Sequence, residues 1–165
     1  MSRLSITNLQ RGDIDAILEI SLECGLCLWS VEAYRSEIVR DDSIMLKLSD
    51  EADGVCGFAV GRVFELAPDE FTVELTNIGL RQAYRNQGFG RHLLTSFVNR
   101  CVERGVDSIV LEVRESNDIA KRFYARFGFQ ATGRRKGFYS NPVEDALTMR
   151  LNLVGADSYL INTPA

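Results

Sequence analysis

Residues 76–104 read TNIGLRQAYRNQGFGRHLLTSFVNRCVER and place the end of a strand, a glycine-containing loop and an amphipathic helix in direct succession. The predicted helix runs from Gly90 to Arg104, and Gly105 is placed to end it. Its apolar residues recur at i, i+1, i+4, i+5, i+8 and i+9, which is one helical face: Leu93, Leu94, Phe97, Val98, Cys101 and Val102. The stretch therefore predicts a strand–loop–helix unit of an α/β protein.

The loop of this unit has the composition of an anion-binding site. Glycines let main chain approach a ligand closely, and the first N–H groups of the following helix have no internal partners. Pyrophosphate fits such a site, although the spacing alone is also compatible with a tight strand-to-helix turn. A Walker A loop and a full G-x-G-x-x-G are excluded, because His92 and Leu93 follow the last loop residue. The loop comprises Arg85, Asn86, Gln87, Gly88, Phe89, Gly90 and Arg91.

Upstream of this unit the pattern alternates between helix and strand. Leu4–Thr7 is a predicted short strand. Asp13 is the predicted N-cap of a first helix, which Gly25 ends, and Ser30 is the predicted N-cap of a second. The apolar face of the first helix is expected to contain Ile14, Ile17, Leu18 and Leu22, and that of the second Tyr34 and Ile38.

Three extended segments precede the loop. Ser43–Leu48 and Val55–Phe64 flank a turn and form a predicted hairpin. The third begins at Phe71, and its alternation slips by one residue at Thr76–Asn77, which indicates a bulge.

Downstream, Ser108–Val113 is a predicted strand interrupted by one carboxylate, Glu112. A helix capped by Asn117 or Ser116 follows, with Gly128 as its stop. Its predicted apolar face is Ile119, Ala120, Phe123, Tyr124 and Phe127. The chain is extended from Phe129, and a last strand with Leu147, Met149, Leu151 and Leu153 follows the Asn141-Pro142 turn.

Length and composition predict one globular domain over residues 1–165, with a core of about residues 4–153 and a disordered tail over 155–165. The 165 residues are 45% hydrophobic and 25% charged. A formal net charge of -4 argues against nucleic-acid binding. No signal-peptide pattern and no apolar run of about 18 residues occurs, so the expected location is the cytoplasm, with no membrane contact.

The four cysteines are expected to be reduced thiols in or near the core. Cys24 and Cys27 form a C-x-x-C pair, but a second such pair is missing and His92 is the only histidine. Cys56 and Cys101 fall on predicted apolar positions. No metal is predicted.

Glu112 and Tyr124 are candidate acid–base groups. A carboxylate in an apolar strand is costly to bury and becomes a better base there. A sheet-edge carboxylate, or one paired with an arginine such as Arg114, explains Glu112 equally well. Tyr124, taken as a single residue, is better explained as a core tyrosine with a satisfied hydroxyl.

Three segments together resemble the GNAT superfamily of N-acetyltransferases, and within it the bacterial ribosomal-protein alanine N-acetyltransferase family. They are R-x-x-G-x-G at 85–90, L-E-V-R-x-S-N at 111–117 and F-Y-x-x-F-G-F at 123–129. The likeness runs from about Ile6 to Leu153. It implies one α/β domain with a mixed, mostly antiparallel, V-shaped sheet flanked by helices, the V opening between the parallel strands that end at Leu80 and Val113.

The resemblance also implies roles for individual residues. Acetyl-coenzyme A would lie in the V, with its acetyl and pantetheine end along Ile78, Gly79 and Leu80, its pyrophosphate on the 85–91 loop, and Asn117 against its pantetheine arm. Glu112 matches the general base and Tyr124 the general acid of a direct transfer to an amine through a tetrahedral intermediate. Trp29 and Tyr139 fall on the acceptor side, although Tyr139 is equally well explained as a packed hairpin residue.

Three departures from the family pattern leave the identity of the acceptor amine undetermined. Leu28-Trp29-Ser30 replaces Pro-Trp-Ser, Gly79 stands where a larger residue is frequent, and Phe138 replaces a tyrosine. The expected acceptor is a protein N-terminal α-amine, specifically a ribosomal-protein alanine. A small-molecule amine, a non-catalytic acyl-coenzyme A binding module and a covalent route through Cys101 are the alternatives.

Overall fold

Seven strands form one sheet in the order β1-β2-β3-β4-β5-β7-β6. The computed structural model describes residues 3–154, so the predicted tail over 155–165 lies outside the described residues. Every neighbouring pair is antiparallel except β4 and β5, which are parallel. The strands are β1 Leu4–Asn8, β2 Ser43–Asp50, β3 Gly54–Ala67, β4 Glu70–Leu80, β5 Ser108–Arg114, β6 Gln130–Ser140 and β7 Val143–Asn152.

Helices cover both faces of the sheet. One face carries α1 and α2, whose core with β3 includes Ile17, Ile20, Tyr34 and Phe58. The other face carries α3 and α4, packed over the larger apolar cluster. The helices are α1 Ile14–Cys24, α2 Val31–Ile38, α3 Phe89–Glu103 and α4 Asp118–Phe127. The predicted mixed, mostly antiparallel α/β sheet with flanking helices is confirmed.

Helix ends follow local chemistry at three of the predicted positions. Gly25 ends α1 in the left-handed region at φ 63°. The Ser30 hydroxyl accepts a hydrogen bond from the Ala33 N–H at 3.1 Å, and the Asn117 side chain accepts one from the Ala120 N–H at 3.1 Å. These contacts fix where α2 and α4 begin.

Two predictions about the helices were wrong. Asp13 does not cap α1 with its side chain, because that carboxylate accepts the Gln10 N–H at 2.7 Å and binds Lys47 Nζ at 2.8 Å. Leu22 and Ile119 are not on buried faces, since they are 65% and 78% exposed. Both lie near a helix end where the neighbouring layer does not reach them.

The predicted bulge in β4 is confirmed and opens the sheet. Val60 pairs with Asn77 and Gly61 with Leu75, so Thr76 is the extra residue. The parallel pairing of β4 with β5 stops after Glu74 opposite Val110. Beyond that point residues 75–80 of β4 and 111–114 of β5 diverge, as predicted, and we call the gap between them the cleft.

Candidate active site

The cleft exposes main chain on the inner edge of β4. Past Glu74, β4 has no paired neighbour on its β5 side within the described residues, so main-chain N–H groups along that edge are available to a ligand, whereas the Leu80 carbonyl already accepts hydrogen bonds from Arg85 and Cys24. Ile78 and Leu80 pack partly against the α3–α4 cluster, whereas Gly79 faces the end of α1. The three residues predicted to line the acetyl end therefore lie on this edge.

The loop after β4 forms a cradle of main-chain donors, residues 86–91. Asn86 and Gly88 have positive φ, at 59° and 86°, which turns successive N–H groups toward one side. The N–H of His92 donates to the Gly88 carbonyl at 3.0 Å. The N–H groups of the three preceding residues, Phe89, Gly90 and Arg91, therefore stay outside the α3 ladder and are free to hold an anion at the positive end of the helix.

Three side chains of the loop hold it in place. Arg85 donates from Nε to the Leu80 carbonyl at 3.0 Å and from Nη2 to the Cys24 sulfur at 3.3 Å. Gln87 donates to the Ala83 carbonyl at 2.6 Å, and the Phe89 ring lies 6.0 Å from that of Tyr84. These three side chains therefore stabilise the loop and leave ligand recognition to its backbone and to its other side chains.

Three arginines line a cavity of about 490 Å³ beside the cradle. Its other walls are Asn86, Ile119 and Phe123, and the arginines are Arg91, Arg122 and Arg126. Arg122 also donates to the Asp118 carbonyl, and Arg91 stacks over the Phe127 ring at 5.4 Å. A cradle of N–H donors next to a cavity rich in guanidinium groups fits a ligand with several phosphates.

The side-chain oxygen of Asn117 is occupied as the cap of α4, and the residue is exposed next to the cleft. A coenzyme contact from this residue would therefore use its amide nitrogen, which the cap leaves free to donate.

Glu112 lies on the opposite face of the sheet from the arginine cavity. Its neighbours Leu111 and Val113 point into the α3–α4 core, so Glu112 points to the α1–α2 face. The side chain is 16% exposed and binds Arg135 Nη1 at 2.7 Å. Arg114, the partner considered from sequence, instead binds Glu144 at 3.1 Å. The arginine beside Glu112 thus comes from β6.

Tyr124 lies on α4, on the other side of the cleft. Its ring packs 5.3 Å from that of Phe123 and 5.5 Å from that of Phe129. Burial raises the pKa of the Tyr124 phenol well above its ordinary value, with a smaller contribution from Tyr139. Among the described residues no hydrogen bond occupies the Tyr124 hydroxyl, so a neutral donor is free beside the cleft.

Tyr139 bridges the two strands that carry the charged groups. Its hydroxyl donates to the Glu112 carbonyl at 3.4 Å, and the Arg114 guanidinium lies 4.1 Å from its ring centre. Burial is the main cause that raises the pKa of Tyr139, partly offset by Arg114. Tyr139 is thus both packed and adjacent to Glu112.

The α1–α2 connection forms a second wall of the acceptor side. A Cβ at Gly79 would lie 3.0 Å from the Cys24 sulfur and 3.2 Å from Leu26. The space beside Gly79, where a larger residue is frequent in the family pattern, is therefore filled here by side chains from the end of α1 and the connection that follows it. Trp29 packs against Tyr34, with ring centres 5.3 Å apart, and is partly exposed.

All four cysteines are free, but they differ in exposure. Cys56 and Cys101 are buried, Cys24 is partly buried and Cys27 is exposed, which corrects its expected place in or near the core. Burial raises the pKa of the Cys101 thiol to about 12, so little thiolate forms there. Among the described residues no group of three metal-binding side chains occurs, and no helix is long and apolar enough to cross a membrane.

Sequence reasoning missed three charged residues of this region. Arg122 and Arg126 follow Ile119 at helical spacing on the exposed face of α4. Because Ile119 was predicted to be buried, that face was not recognised as exposed. Glu74 alternates with buried Val73 and Leu75 in β4, so strand parity could have placed it on the face of Glu112.

Comparisons with known proteins agree with this geometry. The model of the acetyltransferase (GNAT) family matches residues 14–129. The ribosomal protein bS18-alanine N-acetyltransferase of Haemophilus influenzae is 32% identical over 137 residues, covering 83% of this chain and 88% of that protein.

Solved structures show the same fold. The crystal structure of the ribosomal-protein-S18-alanine N-acetyltransferase from Escherichia coli has a TM-score of 0.77 at 28% identity, covering 91% of this chain and 94% of that one. NAA60 of Arabidopsis thaliana in complex with acetyl-CoA has a TM-score of 0.81 at 16% identity, covering 91% and 99%, which is a likeness of fold.

Fold and cleft together define an acyl-transferring α/β enzyme. The chain belongs to the acetyltransferase (GNAT) family.

Proposed function

We propose that this enzyme transfers the acetyl group of acetyl-coenzyme A directly to the α-amine at the N-terminus of a protein, with a ribosomal-protein alanine as the acceptor. The observation that carries the proposal is the cleft, which joins a phosphate-binding side to a carboxylate-bearing side through one gap in the sheet. Donor and acceptor can then meet without a covalent enzyme intermediate.

The donor side is the α3–α4 face. The cradle N–H groups of residues 89–91 and the guanidinium groups of Arg122 and Arg126 would hold the phosphates, and the edge of β4 at 78–80 the pantetheine arm. The coenzyme supplies an activated thioester. Main-chain N–H groups near Leu80 would stabilise negative charge on its carbonyl oxygen, an effect that reaches about 3 kcal/mol per donor in other enzymes.

The acceptor side is the α1–α2 face. An N-terminal ammonium must lose a proton before it can attack, and Glu112 is the carboxylate placed to accept it, directly or through water. Arg135 keeps this carboxylate oriented. On the other side of the cleft the Tyr124 phenol would protonate the departing thiolate, which its raised pKa allows because the phenol stays neutral at physiological pH.

The acceptor is inferred from the relatives. Proteins that resemble this chain over most of their length are named for the alanine N-terminus of ribosomal protein bS18. Carboxylates on the acceptor face of this chain are suited to a cationic amine. A small amine would use the same chemistry, but none of the relatives described above is named for one.

The remaining alternatives fit the site less well. A non-catalytic binding module would not require an acid and a base on the two sides of the cleft. A covalent route needs a reactive thiolate, yet Cys101 is fully buried and its raised pKa keeps it protonated.

The proposal is tested by incubating the purified protein and acetyl-coenzyme A with N-terminal peptides and with small amines, using mass spectrometry as the readout. Acetylation of a peptide that begins with alanine, at the α-amine, is expected. Modification of small amines alone would overturn the peptide acceptor, and no modified amine at all would overturn the transferase activity.

A further inference from the structure

Cys24 is a partly buried thiol at the end of α1 to which the proposed reaction gives no role. Its Sγ donates a hydrogen bond to the Leu80 carbonyl at 3.3 Å and accepts one from Arg85 Nη2 at 3.3 Å. Arg85 Nε donates to the same carbonyl at 3.0 Å. The thiol, the guanidinium and the carbonyl thus form a closed ring of hydrogen bonds at the end of β4, which we call the Leu80 cluster.

The main chain of Leu80 faces the cleft. The Arg81 N–H donates to the Cys56 carbonyl of β3 at 2.8 Å, so the main-chain groups of Arg81 point to β3. In an antiparallel pair, successive residues direct their N–H and C=O groups to alternate edges of the strand. Both groups of Leu80 therefore point away from β3, and the cleft edge presents a donor and an acceptor from one residue.

These two groups have opposite effects on acetyl transfer. The Leu80 N–H would stabilise the negative charge that develops on the thioester carbonyl oxygen, whereas a free Leu80 carbonyl would repel that oxygen. The Leu80 cluster supplies this carbonyl with a thiol donor and a cationic donor, and hydrogen bonds from a charged donor are the stronger kind. The acceptor group of Leu80 is thereby occupied, and its donor group is left to the ligand.

Gly79 explains how α1 reaches the Leu80 carbonyl. The residue faces the end of α1, and a Cβ at this position would lie 3.0 Å from the Cys24 sulfur, which is tighter than an ordinary van der Waals contact. The missing side chain therefore leaves room for the sulfur beside β4. The glycine that departs from the family pattern and the first cysteine of the C-x-x-C pair belong to the same feature.

Charged groups fasten the end of α1 to the same loop. Glu19 binds Arg81 Nη2 at 2.8 Å, and the Glu23 carboxylate accepts a hydrogen bond from the Gln82 N–H. Arg85 Nη2 also donates to the Glu23 carbonyl at 3.4 Å. Because α1 leads into the wall of the acceptor side, these contacts join that wall to the donor edge of β4.

We propose that Cys24 and Arg85 are positioning residues, which act through the Leu80 carbonyl and keep the Leu80 N–H directed at the thioester carbonyl oxygen. This inference rests on the proposed function. The bonds that form and break are those of the acetyl transfer itself, and neither positioning residue takes part in them. Their effect is on the orientation of one peptide group, and orientation of a donor counts most when charge develops on the oxygen.

The test measures kcat and KM with an alanine-terminated peptide, together with the calorimetric Kd of acetyl-coenzyme A. In Cys24→Ala, kcat should fall about tenfold while KM and Kd stay within about twofold, because the weakened contact belongs to the transition state. Cys24→Ser keeps a group that donates and accepts, so it should recover most of kcat. Leu22→Ala is the matched control, since it truncates a side chain of the same helix that is 65% exposed, and it should keep the wild-type kcat.

A second arm tests whether the two residues act as one unit. Arg85→Gln should lower kcat about thirtyfold, and the double variant of Cys24→Ala with Arg85→Gln should lose no more than Arg85→Gln alone, because both act on the same carbonyl. Arg100→Gln is the control, since it neutralises an arginine that binds Glu103 on the surface of α3, and it should keep the wild-type kcat. Losses that multiply in the double variant would contradict a shared carbonyl.

Urea denaturation shows whether each variant is folded. A folded Cys24→Ala with the wild-type kcat overturns the inference, and so does a loss confined to KM or to coenzyme affinity, which is what a purely structural role predicts. If Cys24→Ala does not fold, Arg85→Gln decides by the same criteria. A wild-type enzyme that acetylates no amine overturns the proposed function as well, whereas an impaired Tyr124→Phe beside an unaffected Cys24→Ala overturns the Leu80 cluster alone.

Discussion

Single residues in this site derive their chemistry from what surrounds them. Glu112 is held by an arginine from β6, and Tyr124 is kept neutral by burial between two aromatic rings. The sequence singled out both side chains, but it did not show which residues would surround them. Their proposed roles can be tested separately because they lie on opposite faces of the sheet.

Tyr124→Phe should lower kcat about a hundredfold while the affinity for acetyl-coenzyme A stays the same, since only a proton donor is removed. Steady-state kinetics together with calorimetry measure both quantities. Because burial raises its pKa, wild-type Tyr124 should contribute no alkaline limb near neutral pH. Tyr84→Phe is the control, since it removes a hydroxyl that only binds Asp53 at 2.6 Å. Full activity of Tyr124→Phe would exclude it as the acid.

Gly88→Ala should destabilise the fold by about 1 kcal/mol, because φ of 86° strains any residue with a Cβ although the space around it is open. We also expect weaker binding of acetyl-coenzyme A, since the cradle N–H groups would turn. Chemical denaturation and calorimetry measure the two effects. Gly12→Ala, which also faces open space but lacks a positive φ, should change neither. Unchanged coenzyme affinity in Gly88→Ala would contradict the cradle.

At the scale of elements, helix caps and strand parity explain most of what was predictable. Ser30 and Asn117 cap α2 and α4 through bonds to residues three positions ahead, so sequence alone located the first and narrowed the second to Asn117 or Ser116. The bulge at Thr76 was likewise visible in the sequence, as a one-residue slip in the alternation of apolar and polar residues along β4. Each of these features depends on contacts within a few residues.

Ser30→Ala and Asn117→Ala should each cost about 1 kcal/mol of unfolding free energy, because each leaves a helix N–H without its partner. Only Asn117→Ala should also weaken the binding of acetyl-coenzyme A, since α4 borders the donor side and α2 does not. Urea denaturation and calorimetric titration compare the two variants. Equal coenzyme affinity in both would remove Asn117 from the coenzyme site.

For the whole molecule, the proposed coenzyme site is formed by parts that are distant in the chain and meet only in the folded state. A ligand that binds only the folded state stabilises it by mass action. Thermal stability is therefore a direct readout of whether the donor side is assembled.

Acetyl-coenzyme A at a hundred times its dissociation constant should add about 2.7 kcal/mol to the unfolding free energy. For a chain of this size that corresponds to a rise in Tm of about 5–10 °C, measurable by scanning calorimetry. Acetyl phosphate carries an acyl group but no nucleotide arm, so it should leave Tm unchanged. A coenzyme that produces no rise would contradict the whole donor site.

Local sequence patterns predicted the strand–loop–helix unit at 76–104, the bulge, the cap at Ser30 and the cap at Asn117 or Ser116, whereas the cap predicted at Asp13 was wrong. They also singled out Glu112 and Tyr124 as candidates, since each of these features depends on spacing over a few residues. The folded structure was needed to show that Arg135 rather than Arg114 binds Glu112, that Arg122 and Arg126 border the cradle, and that Leu22 and Ile119 are exposed. Side-chain partners on neighbouring strands are set by the register in which the strands pair. The bulged strand β4 pairs with β5 for three positions and then diverges from it. That balance between long-range pairing and packing leaves no local pattern in the sequence.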